Sequence, residues 1–309
     1  MVTVSSGVWA GSIPLETAWN CLEVAEFSST SRPQTLKQEL ERIGFLGDVP
    51  ASYTAQPMAA HFELHIEQGP ILEDQREKIG VVTGGQAYSW FEIEVKGRDS
   101  HAGTTPLSAR RDAILAAAKM IVASNGAAKN VDGLVTTGII RGRPGSVNTM
   151  AHTVTFTLDI RHPSDKKLAE MVAQCRKDFD RIAQHESERG VEVSWTTLTE
   201  NTAVQFHPDC IRAVEDAAKE ACAEVGGSEG RTLWRHMVSG AGHDSCHTSK
   251  RCPTAMIFTQ TRNGMSHTPD EYCSPEDCII GAQTLLGAVL RYDAARTKSG
   301  GDLVDPTKN

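Results

Sequence analysis

Ten residues, His61-Phe62-Glu63-Leu64-His65-Ile66-Glu67-Gln68-Gly69-Pro70, hold the densest set of groups able to bind a proton or a metal. His61, Glu63, His65 and Glu67 alternate with Phe62, Leu64 and Ile66, the period-two pattern of a strand with one apolar face, and Gly69-Pro70 ends it. His65 then lies near the strand's carboxyl end, where ligands sit in open α/β sheets. The plain alternative is an edge strand with a solvated polar face. A second histidine, His267, stands in Ser266-His267-Thr268-Pro269-Asp270-Glu271, a loop between the Thr254 to Phe258 strand and the last helix. It reads as sharing the sheet edge of His65, so a metal site is plausible there once carboxylate ligands join.

Three further segments carry groups with a use. Ser100-His101-Ala102-Gly103-Thr104-Thr105-Pro106 is a turn between a strand and a helix. A histidine held there can donate to a developing oxyanion, or the turn is simply a helix cap. Asn148 lies in the loop Gly145 to Asn148, and Arg161 follows the strand Leu158-Asp159-Ile160. An Arg at a strand end can grip a carboxylate with two parallel hydrogen bonds, or pair locally with Asp159. Ser239-Gly240-Ala241-Gly242-His243-Asp244 is a glycine-rich loop before a helix, and its amides can cradle an anionic or carbonyl group. No Gly-Lys-Ser/Thr follows, so it is not a phosphate loop. His243, Asp244, Cys246 and His247 hold enough ligands for a separate metal site, a reading that ranks below the loop because adjacent residues on one helix rarely converge on one ion.

The elements that must position these groups follow from periodicity. Pro14 to Glu23 and Pro33 to Ile43 have helical spacing, the second with Ser31 and Pro33 as start signal. From Gly80 to Trp195 the order is strand, strand, helix, strand, strand, helix, strand: a compact α+β unit with one sheet and two helices on one face. After Thr202 the α/β texture returns, with a helix over Pro208 to Val225, a turn over Gly226 to Gly230, the Thr254 to Phe258 strand and a helix over Ser274 to Ala295. Lys298 to Asn309 reads as a disordered tail. The simplest architecture is one α/β domain interrupted by a smaller inserted domain.

Composition narrows the class. The 309 residues, 39% hydrophobic and 23% charged, suit a soluble protein of about two domains. A net charge of −8 argues against nucleic acid or anionic membrane as partner. No apolar run approaches the roughly 18 residues of a membrane span. Met1 to Gly11 lacks the basic start and apolar core of a signal peptide, and the eight cysteines, with no CxxC pair, read as reduced thiols. Both point to the cytoplasm.

Together the motifs resemble the metal-dependent aminoacylase and carboxypeptidase superfamily, and within it the branch of allantoate amidohydrolases, N-carbamoyl-L-amino acid amidohydrolases and β-ureidopropionases. The resemblance rests on Ser6-Gly7-Val8-Trp9-Ala10-Gly11, Leu64 to Pro70, Gly80-Val81-Val82, Ser100 to Pro106, Arg110-Arg111-Asp112-Ala113, Asp159-Ile160-Arg161, Ser239 to Asp244 and Ser266-His267, and runs from about Ser5 to Tyr292. It implies a zinc-peptidase-like three-layer α/β catalytic domain interrupted by an α+β lid that also dimerises. The catalytic domain then covers 1–79 and 197–297, the lid 80–196 and the tail 298–309. By the same resemblance His65 and His267 are metal ligands, each serving one ion of a two-metal site filled by zinc, manganese, cobalt or nickel. His101 resembles the lid histidine that reaches the neighbouring subunit's active site and stabilises the oxyanion. Asn148 and Arg161 resemble the carboxylate-holding residues, Gln86 a further substrate contact, and Gly240 and Gly242 the lining of the substrate pocket.

One departure bears on activity. Family members begin with a further segment holding a His, a metal-bridging Asp and a Glu-Glu pair that supplies the general base. Here Ser6-Gly7-Val8-Trp9-Ala10-Gly11 follows Met1 almost at once. The expectation is an N-terminally truncated member of an amidohydrolase family cleaving a linear ureido-type C–N bond of a small carboxylate-bearing substrate. Its metal would be weakly held or absent, several core strands missing, and this polypeptide itself inactive. The competing class is a non-catalytic paralogue acting in dimerisation or small-carboxylate binding. A dipeptidase or aminoacylase of the same superfamily is a third reading.

Overall fold

Alternating and continuous apolar strands build one five-stranded sheet in each of two compact units, residues 1–85 with 204–309 and residues 86–203, and the strands Ser100–His101 and Thr149–Met150 of the second unit form a small two-stranded sheet. The computed structural model describes residues 3–23, 32–226 and 232–300. In chain order the first unit contributes α1 (Val4–Trp9), α2 (Leu15–Trp19), α3 (Leu36–Arg42), β1 (His61–Ile66), α4 (Ile71–Asp74) and β2 (Ile79–Gly85). The inserted unit follows with β3 (Ala87–Lys96), β4 (Ser100–His101), α5 (Ala113–Lys129), β5 (Leu134–Thr136), β6 (Ile140–Arg143), β7 (Thr149–Met150), β8 (Thr153–His162), α6 (Asp165–His185) and β9 (Glu192–Asn201). The chain then returns to the first unit through β10 (Val204–Gln205), α7 (Pro208–Val225), β11 (Trp234–Ser239), α8 (Ser245–Thr248), β12 (Thr254–Thr259) and α9 (Pro275–Lys298).

In the first unit β1 pairs parallel with β12, β12 antiparallel with β2, and β11 parallel with β2. β12 is buried at all six positions and β2 at all but one, as expected of strands covered on both faces. One face carries Phe62, Leu64, Ile79, Val81, Ala255 and Ile257 against α7 and α9. The other carries Val82, Met256 and Phe258 with Leu72 of α4 and Phe206. This is a mixed α/β layer structure, with long helices on one face and the short helices α4 and α8 on the other. A methyl group on Gly281 would stand 2.6 Å from Thr259 and 2.8 Å from Leu64, so only glycine lets α9 lie this close to β1 and β12. Helix α9 starts as its sequence requires: the Ser274 hydroxyl accepts from the Asp277 N–H and Pro275 occupies the first turn.

The inserted unit is an antiparallel sheet, β5-β8-β3-β9 with β6 also on β8, covered by α5 and α6. β8 alternates strictly between half-buried and buried, with Val154, Phe156, Leu158 and Ile160 inward. Phe179 of α6 meets Phe156 and Trp195, which also packs edge-on against Phe91.

Several boundaries differ from the sequence pattern. β2 belongs to the first unit's sheet, and the units divide after Gly85 and Ala203. The pattern over Leu134 to Arg141 is two strands, because Ile139 bonds side-on to Thr157 through both its N–H and its carbonyl. The second early helix is confined to Leu36–Arg42, where a Thr35/Gln38 capping box fixes its start. Ser31, most of the Gly226 to Gly230 turn and the tail beyond residue 300 lie outside the described residues. Among the described residues no helix is long and apolar enough to cross a membrane.

Candidate active site

The parallel pairing of β1 and β12 sets His65 opposite Phe258 and brings the two strands' carboxyl ends to one edge. Beyond β1 the chain turns at Gln68, held by a positive φ of 57° and by its N–H on the Thr261 hydroxyl. Beyond β12 the loop reaches His267, also at positive φ. The two turns meet there: the Gln68 side-chain amide donates to the Ser266 hydroxyl at 2.9 Å and lies 3.3 Å from His267 Nε2. Glu271 ties the loop together, accepting from the Ser266 hydroxyl at 2.6 Å and the His267 N–H at 3.0 Å. Those two donors hold the Glu271 carboxyl below the usual carboxylate range, and the fields of His267 and His65 act in the same direction. Glu271 thus binds the His267 backbone directly, and the field of His65 reaches the same carboxylate.

The state of the His65 ring follows from its contact. Its Nδ1 lies 2.7 Å from the Ile66 carbonyl, which only an N–H can satisfy, so in the neutral ring the lone pair is on Nε2. That is the tautomer a metal ligand needs. The His243 ring stands edge-on to it at 4.6 Å and packs on Phe258 at 5.5 Å. Burial, then the neighbouring His65, push His243 down to about 4 against the pull of Glu63 and Asp244. It is thus neutral near pH 7, with Nε2 2.9 Å from the Ser239 hydroxyl.

The polar face of β1 is covered rather than solvated. Burial pushes the Glu63 carboxyl up, but the His61 ring at 3.7 Å, both Ser245 donors and His243 outweigh it and hold the group at about 2. Its Oε2 accepts from the Ser245 hydroxyl at 2.7 Å and the Ser245 N–H at 3.0 Å, which pins the Gly240 to Asp244 loop and α8 over β1. Glu67, expected on the same face, lies past the strand and accepts from the Ile71 and Leu72 N–H groups, both at 2.8 Å. It caps α4, because Gly69-Pro70 turns the chain back over it. Gly240 and Gly242 are exposed within the pinned loop.

The inserted unit carries the other groups expected of the site. β4 pairs with β7, setting His101 opposite Thr149, and the Ala102 N–H donates to the Asn148 carbonyl. His101 Nδ1 accepts from the Gly103 and Thr104 N–H groups, each at 3.2 Å, which places its proton on Nε2. His101 thus presents an exposed N–H donor. The Asn148 side-chain oxygen accepts from the Ser146 hydroxyl at 2.9 Å. Arg161, expected just beyond a strand, lies inside β8, which continues to His162. Its guanidinium contacts both Asp159 oxygens, at 2.6 Å for Nη2 to Oδ2 and 2.9 Å for Nε to Oδ1, and stacks on Tyr88 at 5.2 Å. The local pairing is the one seen. Gln86 is the first residue of the inserted unit and half-buried.

Motif spacing does not reveal three participants: the Glu63–His243–Ser245 cluster, Gln68 and Glu271. Gln68 and Glu271 stand three and four residues past the two histidines, a spacing that turns rather than strands make legible. A metal centre sets a stricter demand. Zinc takes four donors and a catalytic centre at least three from protein. Among the described residues no group of three or more His, Cys, Asp or Glu side chains is placed to hold one ion. His65 and His267 supply two suitable nitrogens; the described set falls short of a complete centre.

N-carbamoyl-L-amino-acid amidohydrolase of Rhizobium meliloti is 36% identical over 289 residues, 93% of this chain and 64% of the relative. Allantoate amidohydrolase of Escherichia coli is 32% identical over 246 residues, 79% of this chain and 56% of the relative. The crystal structure of an amidase of the hydantoinase/carbamoylase family from Burkholderia multivorans superposes with a TM-score of 0.81 at 38% identity, covering 94% of this chain and 66% of that one. The chain thus spans between 56% and 66% of the length of these relatives. Its residues 34–291 match the sequence profile of peptidase family M20/M25/M40, a generally metal-dependent family, and the chain belongs to it.

Proposed function

We propose that this chain is part of a metal-dependent amidohydrolase that cleaves a linear ureido-type C–N bond in a small carboxylate-bearing substrate, such as an N-carbamoyl amino acid or allantoate. The observation that carries the proposal is the edge where β1 and β12 bring together His65, with its Nε2 lone pair directed away from its own backbone bond, Gln68 and His267. His65 and His267 act as metal ligands, each toward one ion of a two-metal site. The names of the relatives support the bond type, and the family supports the metal.

The chain's own residues divide the remaining work. His101, with Nδ1 occupied by two backbone donors, offers Nε2–H to the oxygen that gains charge as the carbonyl becomes tetrahedral. Arg161 and Asn148 take the substrate carboxylate; for Arg161 this means exchanging Asp159 for the ligand while Tyr88 holds the plane of the guanidinium. Gln86 contacts the substrate, and Gly240 and Gly242 line its pocket. A homodimer formed through the inserted unit places His101 in the partner subunit's site. Among the described residues two metal donors and no base are assigned, so the 309-residue form is expected to turn over at or near background. The competing reading, a non-catalytic paralogue that dimerises or binds small carboxylates, uses the same Arg161 and Asn148.

The test is ammonia release from N-carbamoyl-α-amino acids, N-carbamoyl-β-alanine, allantoate and ureidoglycolate, with divalent metal added. It is run on this chain and on a form extended by the upstream reading frame. Turnover by the extended form, abolished by His65→Ala and by His267→Ala, is the expected result. Carboxylate binding without turnover in either form would favour the non-catalytic reading.

A further inference from the structure

Two thiols meet at the start of α9. Cys273 closes the loop that carries Ser266, His267 and Glu271, Cys278 lies in the first turns of the helix, and their sulfurs are 3.6 Å apart. The backbone around them is fixed: the Cys278 N–H donates to the Ser274 carbonyl at 2.9 Å, and the Ser274 hydroxyl donates to Asp277 Oδ2, whose other oxygen takes Lys78 at 2.8 Å. Of the eight cysteines, Cys278 is the exposed one, Cys273, Cys21 and Cys246 are half-buried, and Cys175, Cys210, Cys222 and Cys252 are buried. An oxidant from solvent therefore reaches Cys278 first and finds a second sulfur beside it.

We propose that Cys273 and Cys278 form an oxidisable dithiol, a modification site that hydrogen peroxide converts to a disulfide. The Cys278 thiolate attacks a peroxide oxygen, the O–O bond breaks, and Cys278 becomes a sulfenic acid as the first water leaves. The Cys273 sulfur then attacks the sulfenic sulfur, the S–O bond breaks, and the departing hydroxide takes the Cys273 proton as the second water. Two thiols lose two electrons and two protons, and the peroxide is reduced to two waters. Cys273 is half-buried and burial pushes its thiol up to about 11, so the exposed Cys278, and not Cys273, is the first nucleophile. The two sulfurs start 3.6 Å apart, and Cys273 lies in a loop whose backbone can adjust to the geometry a bridge needs.

The bond would also be felt at the candidate site. Cys273 Sγ now lies 3.5 Å from the Thr259 hydroxyl, which donates to the His65 carbonyl at 3.5 Å. Drawing the sulfur toward Cys278 removes that neighbour and ties down the end of the His267 loop. The dithiol itself does not depend on the reaction proposed above.

The experiment treats the intact chain with hydrogen peroxide, alkylates it without reductant and digests it with trypsin. The Asn263 to Arg291 peptide contains both cysteines and no other. The expected product is this peptide two hydrogens lighter, unalkylated, and restored by dithiothreitol; Cys278→Ser, at an exposed position, leaves Cys273 open to alkylation after the same treatment. Both cysteines still alkylated, Cys278 carried to the sulfinic acid beside a free Cys273, a bridge to another cysteine or another chain, or Cys273 oxidised in Cys278→Ser would each overturn the proposal.

Discussion

Replacing Glu63 by Gln preserves the side chain's shape and removes its charge, and the structure sets how much that charge stabilises the fold. The folded carboxyl sits at about 2 against an ordinary 4.5, with 16% of the side chain exposed, so solvent screening is slight. Lowering a carboxyl's pKa by one on folding contributes about 1.36 kcal/mol, so this drop gives about 3 kcal/mol near neutral pH. The sign follows from the depressed folded value. The stabilisation is fully present above the ordinary carboxylate range and is lost as pH falls from about 4.5 toward about 2, because the unfolded chain takes up the proton first. Less than about half remains near pH 3. Urea unfolding of the wild type and Glu63→Gln, followed by circular dichroism between about pH 7 and about pH 3, reads this directly. The expected outcome is a stability gap of about 3 kcal/mol at the upper end that narrows steadily at the lower. A gap of the same size at both ends would refute the argument, since it would mean that packing and not the ionised carboxylate anchors Ser245 and its loop.

Other perturbations test other parts of the structure. Phe156 is 1% exposed and packs on Phe179, so Phe156→Ala should cost the inserted unit about 3–5 kcal/mol in denaturant unfolding; under about 1 kcal/mol would contradict the packing. A methyl group on Gly84 would stand 2.0 Å from the Val204 carbonyl oxygen, so Gly84→Ala should lose about 1–3 kcal/mol by displacing β10 from β2, visible as faster amide exchange at Phe206, whose N–H donates to Thr83. The inserted unit leaves Leu115 and Val122 of α5 exposed, one helical stripe seven residues apart. Light scattering at micromolar concentration should give a dimer mass, and a monomer would remove the cross-subunit role proposed for His101.

How much of this was legible in the residues varied with the kind of signal. The interrupted α/β plan follows from periodicity: β8 alternates inward Val154, Phe156, Leu158 and Ile160 as its sequence does, and the Ser274-Pro275 start of α9 is a local signal that needs no tertiary context. Ile79 to Thr83 has the pattern of a strand, but a continuous apolar run does not say which sheet it joins, and β2 proves to be in the first unit. Strand β11 is hidden because Trp234 to Ser239 mixes Arg235 and His236 with its apolar residues and gains its register only from β2. At the candidate site, topology explains why His65 and His267 share an edge: β1 and β12 are parallel neighbours and both histidines lie toward their carboxyl ends. The Glu63–His243 contact depends on a loop folding back over the sheet, and Glu67 turns from strand face to helix cap because of the residues that follow it. Neither is written in spacing. Arg161 shows the limit most plainly, since a carboxylate-gripping Arg and an Asp-paired Arg have the same sequence.

The claim that the β1/β12 edge carries the metal-binding end of the site is tested most directly by histidine-ring nitrogen NMR during a zinc titration of the 309-residue chain. Before metal, His65 should be protonated at Nδ1 and His101 at Nε2, as their backbone contacts require. On adding zinc, the Nε2 signal of His65 and the ring signals of His267 should shift while His101 stays in place. Shifts confined to other histidines, with His65 and His267 unmoved, would contradict the assignment of this edge as the metal-binding end of an amidohydrolase site.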